Sequence, residues 1–222
     1  MQRLFDVIFS GSALIALLPI FLPLMILLRL TGEGEIFFLQ NRIGRQGKCF
    51  KLYKFATMLK NSPNIGTGTV TLHNDPRVLP LGIFLRKTKI NELPQLINVF
   101  KGDMSVIGPR PQTQRCFDAF PIQSQQEIIK VRPGLSGIGS VIFRNEDEMM
   151  HVNNDPDKFY DEIIMPYKGS LEEWYVSKKS MWTYFCLVFL TAWVVFLPSS
   201  NLAWRLFKDL PEPPENLDSW LI

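Results

Sequence analysis

The chain has 222 residues, 46% of them hydrophobic, and a formal net charge of +3. This length suits one domain of ordinary size with a membrane element. The small positive charge fits a surface that faces anionic lipid or phosphate, and no nucleic-acid partner is expected. Three widely spaced cysteines, Cys49, Cys116 and Cys186, show no metal-binding spacing and predict reduced thiols on the cytoplasmic side. The two distant histidines, His73 and His151, argue against a zinc site or a histidine-based triad.

The first predicted element is a membrane helix, because no charged residue lies between Val7 and Leu28. As a straight helix this run would reach roughly 33 Å, enough to cross a hydrocarbon core. A cleaved signal peptide fits poorly, since the run is long and no small-residue cleavage site follows it. A straight transmembrane helix is the default, but Pro19 and Pro23 predict a kink.

Basic residues flank the apolar run on both sides, which predicts that both of its ends face the cytoplasm. They are Arg3 before the run, and Arg29, Arg42, Arg45 and Lys48 after it. A kinked helix that enters and leaves by one leaflet satisfies both the prolines and the charges. We therefore favour a re-entrant helix over a spanning one.

The next elements are a β-hairpin and two helices. The aromatic-rich runs Glu35–Gln40 and Lys48–Phe55 flank a linker with glycine and asparagine, which predicts a hairpin. Leu79–Lys89 has a helical pattern, and a second helix is predicted to begin at Asn91, a strong N-cap residue.

The second half of the chain predicts further helices. Leu135–Phe143 alternates small and β-branched residues, which indicates a strand or irregular backbone, whereas Leu171–Val195 predicts one long helix. Its most apolar part, Met181–Leu197, is at the short limit for a membrane span. We favour an interfacial helix over a span, and a helix buried in the core fits equally well. The acidic, proline-rich end from residue 209 to 222 predicts disorder.

The most informative stretch is residues 89–111, which combines Asn91-Glu92, an amphipathic helical pattern and a Gly-Pro-Arg-Pro turn at residues 108–111. Further motifs are Tyr53-Lys54-Phe55-Ala56-Thr57-Met58, Asp75-Pro76-Arg77-Val78, Leu93-Pro94-Gln95-Leu96 and Arg132-Pro133-Gly134. Together they resemble the bacterial sugar transferases of the small monotopic phosphoglycosyl transferase type, which load a sugar-1-phosphate onto a polyprenyl phosphate. The resemblance covers roughly Arg3 to Arg144, about two thirds of the chain.

The resemblance implies an α+β fold, mostly helical, with a proline-broken re-entrant N-terminal membrane helix, a short β-hairpin and amphipathic interfacial helices. The expected domains are the re-entrant helix over residues 1–30, a cytoplasmic catalytic domain with interfacial helices over 31–208, and a disordered tail over 209–222.

Four arginines match the family's motifs and are expected to bind substrate phosphates: Arg86, Arg110, Arg132 and Arg144. A guanidinium can form two parallel hydrogen bonds with phosphate oxygens, so fixed arginines suit a diphosphate. Any one of them alone would be read more readily as a structural ion pair, but four in matching motifs favour a phosphate cradle. Glu92 is the expected ligand for Mg²⁺, which prefers oxygen ligands. The alternative role of Glu92 is a favourable interaction with the dipole at a helix N-terminus.

Asn91 stands where the family has the aspartate that acts as nucleophile. A carboxamide keeps the shape of aspartate but lacks its charge and its nucleophilic oxygen. The chain could follow a different route, be an engineered and trapped variant, or be a non-catalytic relative. Because the surrounding motifs are intact, we favour a native, active variant with Asn91 and Glu92 at the catalytic centre.

The implied function is transfer of a sugar-1-phosphate from a nucleotide diphosphate sugar, most simply a UDP-sugar, to undecaprenyl phosphate. This enzyme would act with Mg²⁺ on the cytoplasmic face of the bacterial inner membrane, in contact with membrane lipid, and would initiate a surface glycan such as exopolysaccharide or lipopolysaccharide. The alternative is a catalytically impaired or non-catalytic membrane-surface protein that binds polyprenyl phosphate or a partner transferase. The sequence identifies neither the sugar nor the glycan pathway, and it leaves a homodimer open.

Overall fold

The computed structural model describes residues 1–64, 75–144, 146, 149–150, 155–197 and 200–221. The described chain is mostly helical, with a long apolar helix at its N-terminus and two short two-stranded sheets. The predicted α+β, mostly helical class is therefore confirmed. His73 and His151 lie outside the described residues.

The chain forms two compact units, each built from segments that are far apart in sequence. One, the α1 unit, comprises Val7–Asn41 and Lys51–Lys101. The other, the C-terminal unit, comprises Met1–Asp6, Arg42–Phe50 and Gly102–Ile222. The functional boundaries expected near residues 30 and 208 stay predictions.

The first helix, α1, runs from Gln2 to Leu30 without interruption and contains both Pro19 and Pro23. Within the described residues it is the one helix long and apolar enough to cross a membrane, judged by length and composition. A long apolar N-terminal helix is thus confirmed. Its re-entrant course through a bilayer stays a prediction.

One stripe of α1 supplies the core of the α1 unit. Phe21, Leu24 and Leu28, spaced three and four residues apart, pack with Phe55 and Leu85, and the rings of Phe21 and Phe55 meet edge to face at 5.2 Å. Most of the remaining helix surface is apolar and exposed. Exposure of an apolar surface of this extent to water is unfavourable. Contact with a membrane or another apolar partner would therefore stabilise this face of α1.

The predicted hairpin is present. Strand β1 spans Phe37–Ile43 and pairs with β2, Cys49–Phe55. A single 3-10 turn, Arg45–Gly47, joins them, with Gln46 at φ 61° and Gly47 at φ 70°. Gly47 of the predicted linker therefore has a left-handed backbone conformation, which glycine adopts at little cost in free energy.

Two further helices complete the α1 unit: α2 over Pro80–Lys87 and α3 over Gln95–Lys101. The prediction that Asn91 caps the second helix is wrong, because Asn91 lies in a separate 3-10 turn, Ile90–Glu92. Pro94 has no N–H to donate, so the first turn of α3 forms after it. In that turn, the Ile97 N–H donates to the Pro94 carbonyl at 2.9 Å.

The C-terminal unit contains a small parallel sheet that the sequence did not predict. Strand β3, Ser105–Ile107, pairs with β4, Gly134–Ser136, so that Ser105 lies opposite Gly134. Three-residue strands are too short to show an alternating pattern. The helices of this unit are α4 (Gln114–Asp118), α5 (Ile122–Ile128), α6 (Ile138–Ile142), α7 (Pro156–Phe159), α8 (Met165–Ser177), α9 (Met181–Phe196), α10 (Leu202–Leu206) and α11 (Glu215–Leu221).

Three predictions for this unit need correction. Leu135–Phe143 is divided between β4 and α6 rather than forming one strand. The long helix expected over Leu171–Val195 is two helices, because Ser180 caps α9, its hydroxyl accepting from the Thr183 N–H at 3.1 Å. In the tail expected to be disordered, Leu210 and Leu217 are buried and the chain forms α11. These two apolar side chains anchor it despite its acidic, proline-rich composition.

Helix α9 buries one face in the C-terminal unit and leaves the other bare. Tyr184, Leu187 and Leu190 are buried, whereas Phe185 and Phe189 are about half exposed. The prediction of a buried helix therefore holds for one face of α9. The prediction of an interfacial helix concerns the opposite, exposed face and stays a prediction. At 16 residues, α9 is short for a membrane span.

The topology of α1 can be tested by cysteine labelling in a chain whose three native cysteines are replaced by serine. We expect cysteines at Gln2 and at Asn41 to be protected from an impermeant thiol reagent in intact cells, because both ends of α1 face the cytoplasm. Pro19→Leu should expose the Gln2 position to the reagent, since a straight axis and the missing donor are restored. Labelling in permeabilised cells is the control for thiol access. Labelling of the Gln2 position in intact cells without the Pro19 change would contradict the re-entrant course.

Candidate active site

The connection between α2 and α3 presents Asn91 and Glu92 in a tight turn. Lys89, just before it, adopts a left-handed conformation at φ 58° and ψ 10°, which costs free energy for a residue with a Cβ. The Glu92 N–H donates to the Lys89 carbonyl at 3.0 Å and closes the turn. Strain is thus held at the residue that sets the direction of the Asn91-Glu92 pair.

Asn91 carries an unsatisfied polar atom. Its side chain is only 7% exposed, and its Oδ1 has no hydrogen-bond partner among the described residues. One turn later, the Nε2 of the buried Gln95 also lacks a partner. A buried polar atom left unpaired costs about 1–3 kcal/mol. One acceptor and one donor without partners, four residues apart, therefore indicate a position for a polar ligand.

Glu92 is paired with Lys54 of β2. The Nζ of Lys54 lies 3.4 Å from Oε1 of Glu92, and each side chain is about one-fifth exposed. Asn98 of α3 holds the two elements in place: its Oδ1 accepts from the Tyr53 N–H at 2.9 Å, and its Nδ2 donates to the Lys51 carbonyl at 2.8 Å. The strand that carries Lys54 is therefore held to α3 by backbone contacts at Lys51 and Tyr53, just before Lys54.

Arg86 lies in the last turn of α2 and is half-buried. Its Nη1 donates to the sulfur of Met58 at 3.5 Å. A thioether is a weak acceptor, so this contact orients the guanidinium without neutralising it. Arg86 therefore keeps most of its capacity to bind a phosphate oxygen.

Arg110 lies in the C-terminal unit, in the Gly-Pro-Arg-Pro turn that follows β3. Close backbone approach fixes this turn. A Cβ on Gly134 would lie 2.1 Å from the Gly108 nitrogen, and one on Gly137 would lie 2.2 Å from the Gly108 carbonyl oxygen. The structure thus explains the glycines after Arg132: no larger residue fits against the turn.

A buried acid, Glu172 of α8, also holds the Arg110 turn. Glu172 is 1% exposed and accepts the backbone N–H groups of Arg110 and Gly139, while its Oε2 has no partner in the described part of the chain. Burial raises the pKa of Glu172 to about 7, against the opposing effects of nearby Lys168 and of the two N–H groups. Lys168 is itself buried and bonds Glu146 at 2.7 Å.

The other two predicted arginines are placed differently. Arg132 precedes β4, and its Nε donates to the Gly102 carbonyl at 2.9 Å, which fixes the base of the guanidinium. Arg144 lies in an exposed turn after α6. The described structure gives Arg144 no side-chain contact that would position it for catalysis.

The structure places the six predicted site residues in two groups. Arg86, Asn91 and Glu92 lie together in the α1 unit, whereas Arg110, Arg132 and Arg144 belong to the C-terminal unit. Lys54, Gln95 and Glu172 were not predicted as site residues. Lys54 and Gln95 stand inside the motifs that carry the family resemblance, which is the signal that could have found them. Glu172 has no such signal, since neighbouring Glu173 looks equivalent in sequence.

The group around Asn91 contains the residue types expected for a phosphate and a divalent cation. No cluster of three or more His, Cys, Asp or Glu that could hold a metal occurs among the residues described. Mg²⁺ does not require one, because it takes much of its coordination shell from water and substrate phosphate. The Glu92 carboxylate and the unpaired Asn91 Oδ1 are both hard oxygen ligands, so these residues fit the ion.

Comparison with known proteins gives consistent results. The family described as bacterial sugar transferase matches residues 1–198, well beyond the motifs that end at Arg144. The chain is 36% identical over 159 residues to the exopolysaccharide production protein ExoY of Sinorhizobium fredii, covering 65% of this chain and 70% of that protein. It is 33% identical over 212 residues to the undecaprenyl-phosphate galactose phosphotransferase of Salmonella typhimurium, covering 88% of this chain and 40% of the relative.

A third relative matches a shorter region. The UDP-N-acetylgalactosamine-undecaprenyl-phosphate N-acetylgalactosaminephosphotransferase of Aeromonas hydrophila is 42% identical over 139 residues, covering 59% of this chain and 32% of that protein. The chain thus spans less than half of the length of the two named phosphotransferases.

Replacing Glu172 by glutamine tests its burial through pH. The folded-state pKa near 7 lies above the ordinary value of 4.5, so the folded state holds the proton more tightly. The free energy of unfolding of the natural chain should then fall as pH rises from about 4.5 to about 7, by up to roughly 3 kcal/mol. A glutamine at this position does not titrate. The melting temperature of Glu172→Gln should therefore rise relative to that of the natural chain between about pH 5 and pH 8.

The exposed Glu162 supplies the control, and Glu162→Gln should follow the pH profile of the natural chain. Parallel profiles for the natural chain and Glu172→Gln would show that Glu172 is ionised throughout.

Proposed function

The chain belongs to the bacterial sugar transferase family and is a phosphoglycosyl transferase, and we propose that it transfers a sugar-1-phosphate from a UDP-sugar to undecaprenyl phosphate. The names of the Salmonella and Aeromonas relatives support this acceptor, and the Aeromonas name also supports a UDP-linked donor. The name of the Sinorhizobium relative supports a role in exopolysaccharide production. The reaction would be the first membrane step of a surface glycan.

The observation that carries the proposal is the buried, unpaired Oδ1 of Asn91 beside the Glu92–Lys54 pair. A protein gains no stability from an orphaned buried acceptor, so its retention points to a ligand. Lys54 and Arg86 supply positive charge in the same unit, and Glu92 supplies a carboxylate next to Asn91. This combination suits the phosphates of a nucleotide sugar.

Asn91 determines how the transfer proceeds. An amide oxygen carries no full charge and is a poor nucleophile. We therefore infer direct transfer: an oxygen of undecaprenyl phosphate attacks the β-phosphorus, a new P–O bond forms, and the bond from that phosphorus to the bridging oxygen breaks. Uridine monophosphate leaves with the bridging oxygen and its electron pair. Asn91 would position a phosphate oxygen or a bound cation rather than attack.

Glu92 and Asn91 Oδ1 would hold Mg²⁺ when it is bound, and the ion would offset the charge on the leaving nucleotide phosphate. The protein's own residues would perform the remaining tasks. Arg86 would orient the diphosphate, while Lys54 would hold the Glu92 carboxylate in position through their ion pair.

The long apolar helix and the bare face of α9 support membrane association. We place the site on the cytoplasmic face of the bacterial inner membrane, where nucleotide sugars are made and where basic flanks of α1 would remain. A lipid acceptor can then reach an enzyme that does not need to cross the bilayer.

The second candidate is a non-catalytic protein that binds polyprenyl phosphate. Asn91 favours this function because its amide lacks the nucleophilic oxygen of an aspartate. Release of uridine monophosphate on adding UDP-sugar, carrier lipid and Mg²⁺ separates the two. Binding of carrier lipid without nucleotide release would favour the binding protein.

Asn91→Asp tests the direct route. In the natural chain we expect nucleotide release that depends on carrier lipid, with no phosphosugar adduct in the intact mass, because an amide cannot hold one. Asn91→Asp should yield an adduct even without carrier, since it restores a nucleophilic carboxylate. Glu92→Gln should lower turnover at least roughly a hundredfold, about 2.7 kcal/mol.

The matched control is Asn61→Asp, which adds the same charge at an exposed position of the α1 unit. An adduct on the natural chain would overturn direct attack and point to Glu92 as the nucleophile.

Arg110→Lys tests the phosphate cradle predicted from the resemblance. Lysine keeps the charge but loses the planar fork, so we expect UDP-sugar turnover to fall at least roughly tenfold, about 1.4 kcal/mol. Arg115→Lys is the matched control, because Arg115 lies in the same unit and forms exposed ion pairs with Asp157 and Asp161. Equal turnover in the two variants would show that Arg110 acts as a diffuse charge.

A further inference from the structure

A cavity of about 200 Å³ lies in the C-terminal unit beside the first turn of α1. Five cationic side chains line it and only one carboxylate, that of Asp6. The cationic residues are Arg3, Arg45, Lys130, Arg132 and Lys179. They come from four separate stretches of the chain, so the fold, rather than a local run of basic residues, brings the charges together.

The Asp6 carboxylate offsets one of these five positive charges, and neutral donors hold it in place. Its carboxylate accepts from the Ser105 hydroxyl at 2.9 Å, from the Val106 N–H at 2.9 Å and from the Tyr184 hydroxyl at 3.0 Å. Lys130 also bonds Glu127 outside the cavity. A formal excess of positive charge remains at the lining.

The cationic groups are held by the backbone around them. Arg132 Nε bonds the Gly102 carbonyl, and the guanidinium of Arg3 lies against the same glycine, 3.2 Å from where a Cβ on Gly102 would stand. The turn that carries Arg45 is tied to the segment before Lys130 by a hydrogen bond from the Gln46 N–H to the Ile129 carbonyl at 2.7 Å. The convergence of charge is therefore built into the fold.

Lys179 responds to the crowding of like charges. Desolvation of its ammonium group, and then the charges of Arg45 and Arg132, lower the pKa of Lys179, while Asp6 acts in the opposite direction. Repulsion of this kind is relieved when an anion enters the space between the cations. The cavity thus favours a compact, multiply charged anion such as a phosphate group.

An apolar surface adjoins the cavity on α1. Leu4, next to Arg3, is 62% exposed. Phe5 packs edge to face on Phe185 of α9 at 5.2 Å, and both rings are partly exposed. Cations that hold a phosphate beside exposed apolar side chains match the boundary between lipid headgroups and acyl chains. We propose that this cavity binds the phosphate group of an anionic membrane lipid and so anchors the N-terminal turn of α1 at the bilayer surface.

Native mass spectrometry of the full chain in a non-ionic detergent tests the proposal. The variant is the pair Arg45→Gln and Lys179→Gln, two exposed residues outside the proposed transferase site. The control is Lys158→Gln, which removes one exposed charge remote from the lining. We expect the natural chain and the control to retain added phosphatidylglycerol, and the variant to retain it at least roughly tenfold less. Phosphatidylcholine, whose headgroup has no net charge, should be retained weakly by all three.

Four further results decide the proposal. Retention of phosphatidylglycerol should fall with added salt in the natural chain, which needs no variant. If the natural chain retains undecaprenyl phosphate in preference to phosphatidylglycerol, the result supports binding of a lipid phosphate. It also identifies the acceptor lipid as the source of that phosphate. Equal retention of phosphatidylglycerol by the variant and the natural chain would overturn the proposal, as would binding of inorganic pyrophosphate alone with no lipid. Sugar-phosphate turnover measured on the same samples reports the transferase separately.

Discussion

The buried carboxylate of Asp6 is the interaction on which the C-terminal unit depends. A carboxylate that is 1% exposed must be hydrogen bonded, because an isolated buried charge is strongly destabilising. Its donors come from β3 and from α9, so the first turn of α1 can dock only where those two elements already lie side by side. Arg3 is thereby directed to the cationic cavity and Phe5 to Phe185. The same strand β3 leads directly into the turn that carries Arg110.

What the sequence could predict follows from the range of the interactions involved. The uncharged run of α1 and the hairpin are specified by neighbouring residues, and both are present. Strands β3 and β4 are specified by contacts between residues about 30 positions apart in sequence, as the pairing of Ser105 with Gly134 shows. No local pattern encodes such pairing. The break between α8 and α9 did have a local signal, because Ser180 is a good capping residue. The long apolar run after Ser180 nevertheless led to the prediction of one continuous helix.

The candidate site shows the same division. The resemblance located Asn91, Glu92 and Arg86, since these residues are close in sequence and their motif is specific. It could not show that Lys54 stands beside Glu92, because only the packing of α3 on β2 through Asn98 creates that pair. With asparagine in place of the family's aspartate, Glu92 and Lys54 balance each other and Arg86 adds net positive charge. In the proposed site, asparagine thus stands where the resemblance implies a nucleophilic aspartate, and the remaining charges suit an anionic diphosphate.

Asp6 and Tyr184 are 178 residues apart, and this separation has a consequence for synthesis. At about 5–20 residues per second, roughly 10 to 35 s pass between translation of the two positions. During that interval the carboxylate lacks its final donors and remains hydrated on the ribosome's side of the membrane. Moving a hydrated charge into hydrocarbon is costly, whereas the uncharged run behind it can enter the bilayer at once. A first turn that stayed behind in this way while the rest of α1 inserts would agree with the re-entrant course predicted from the prolines and the basic flanks.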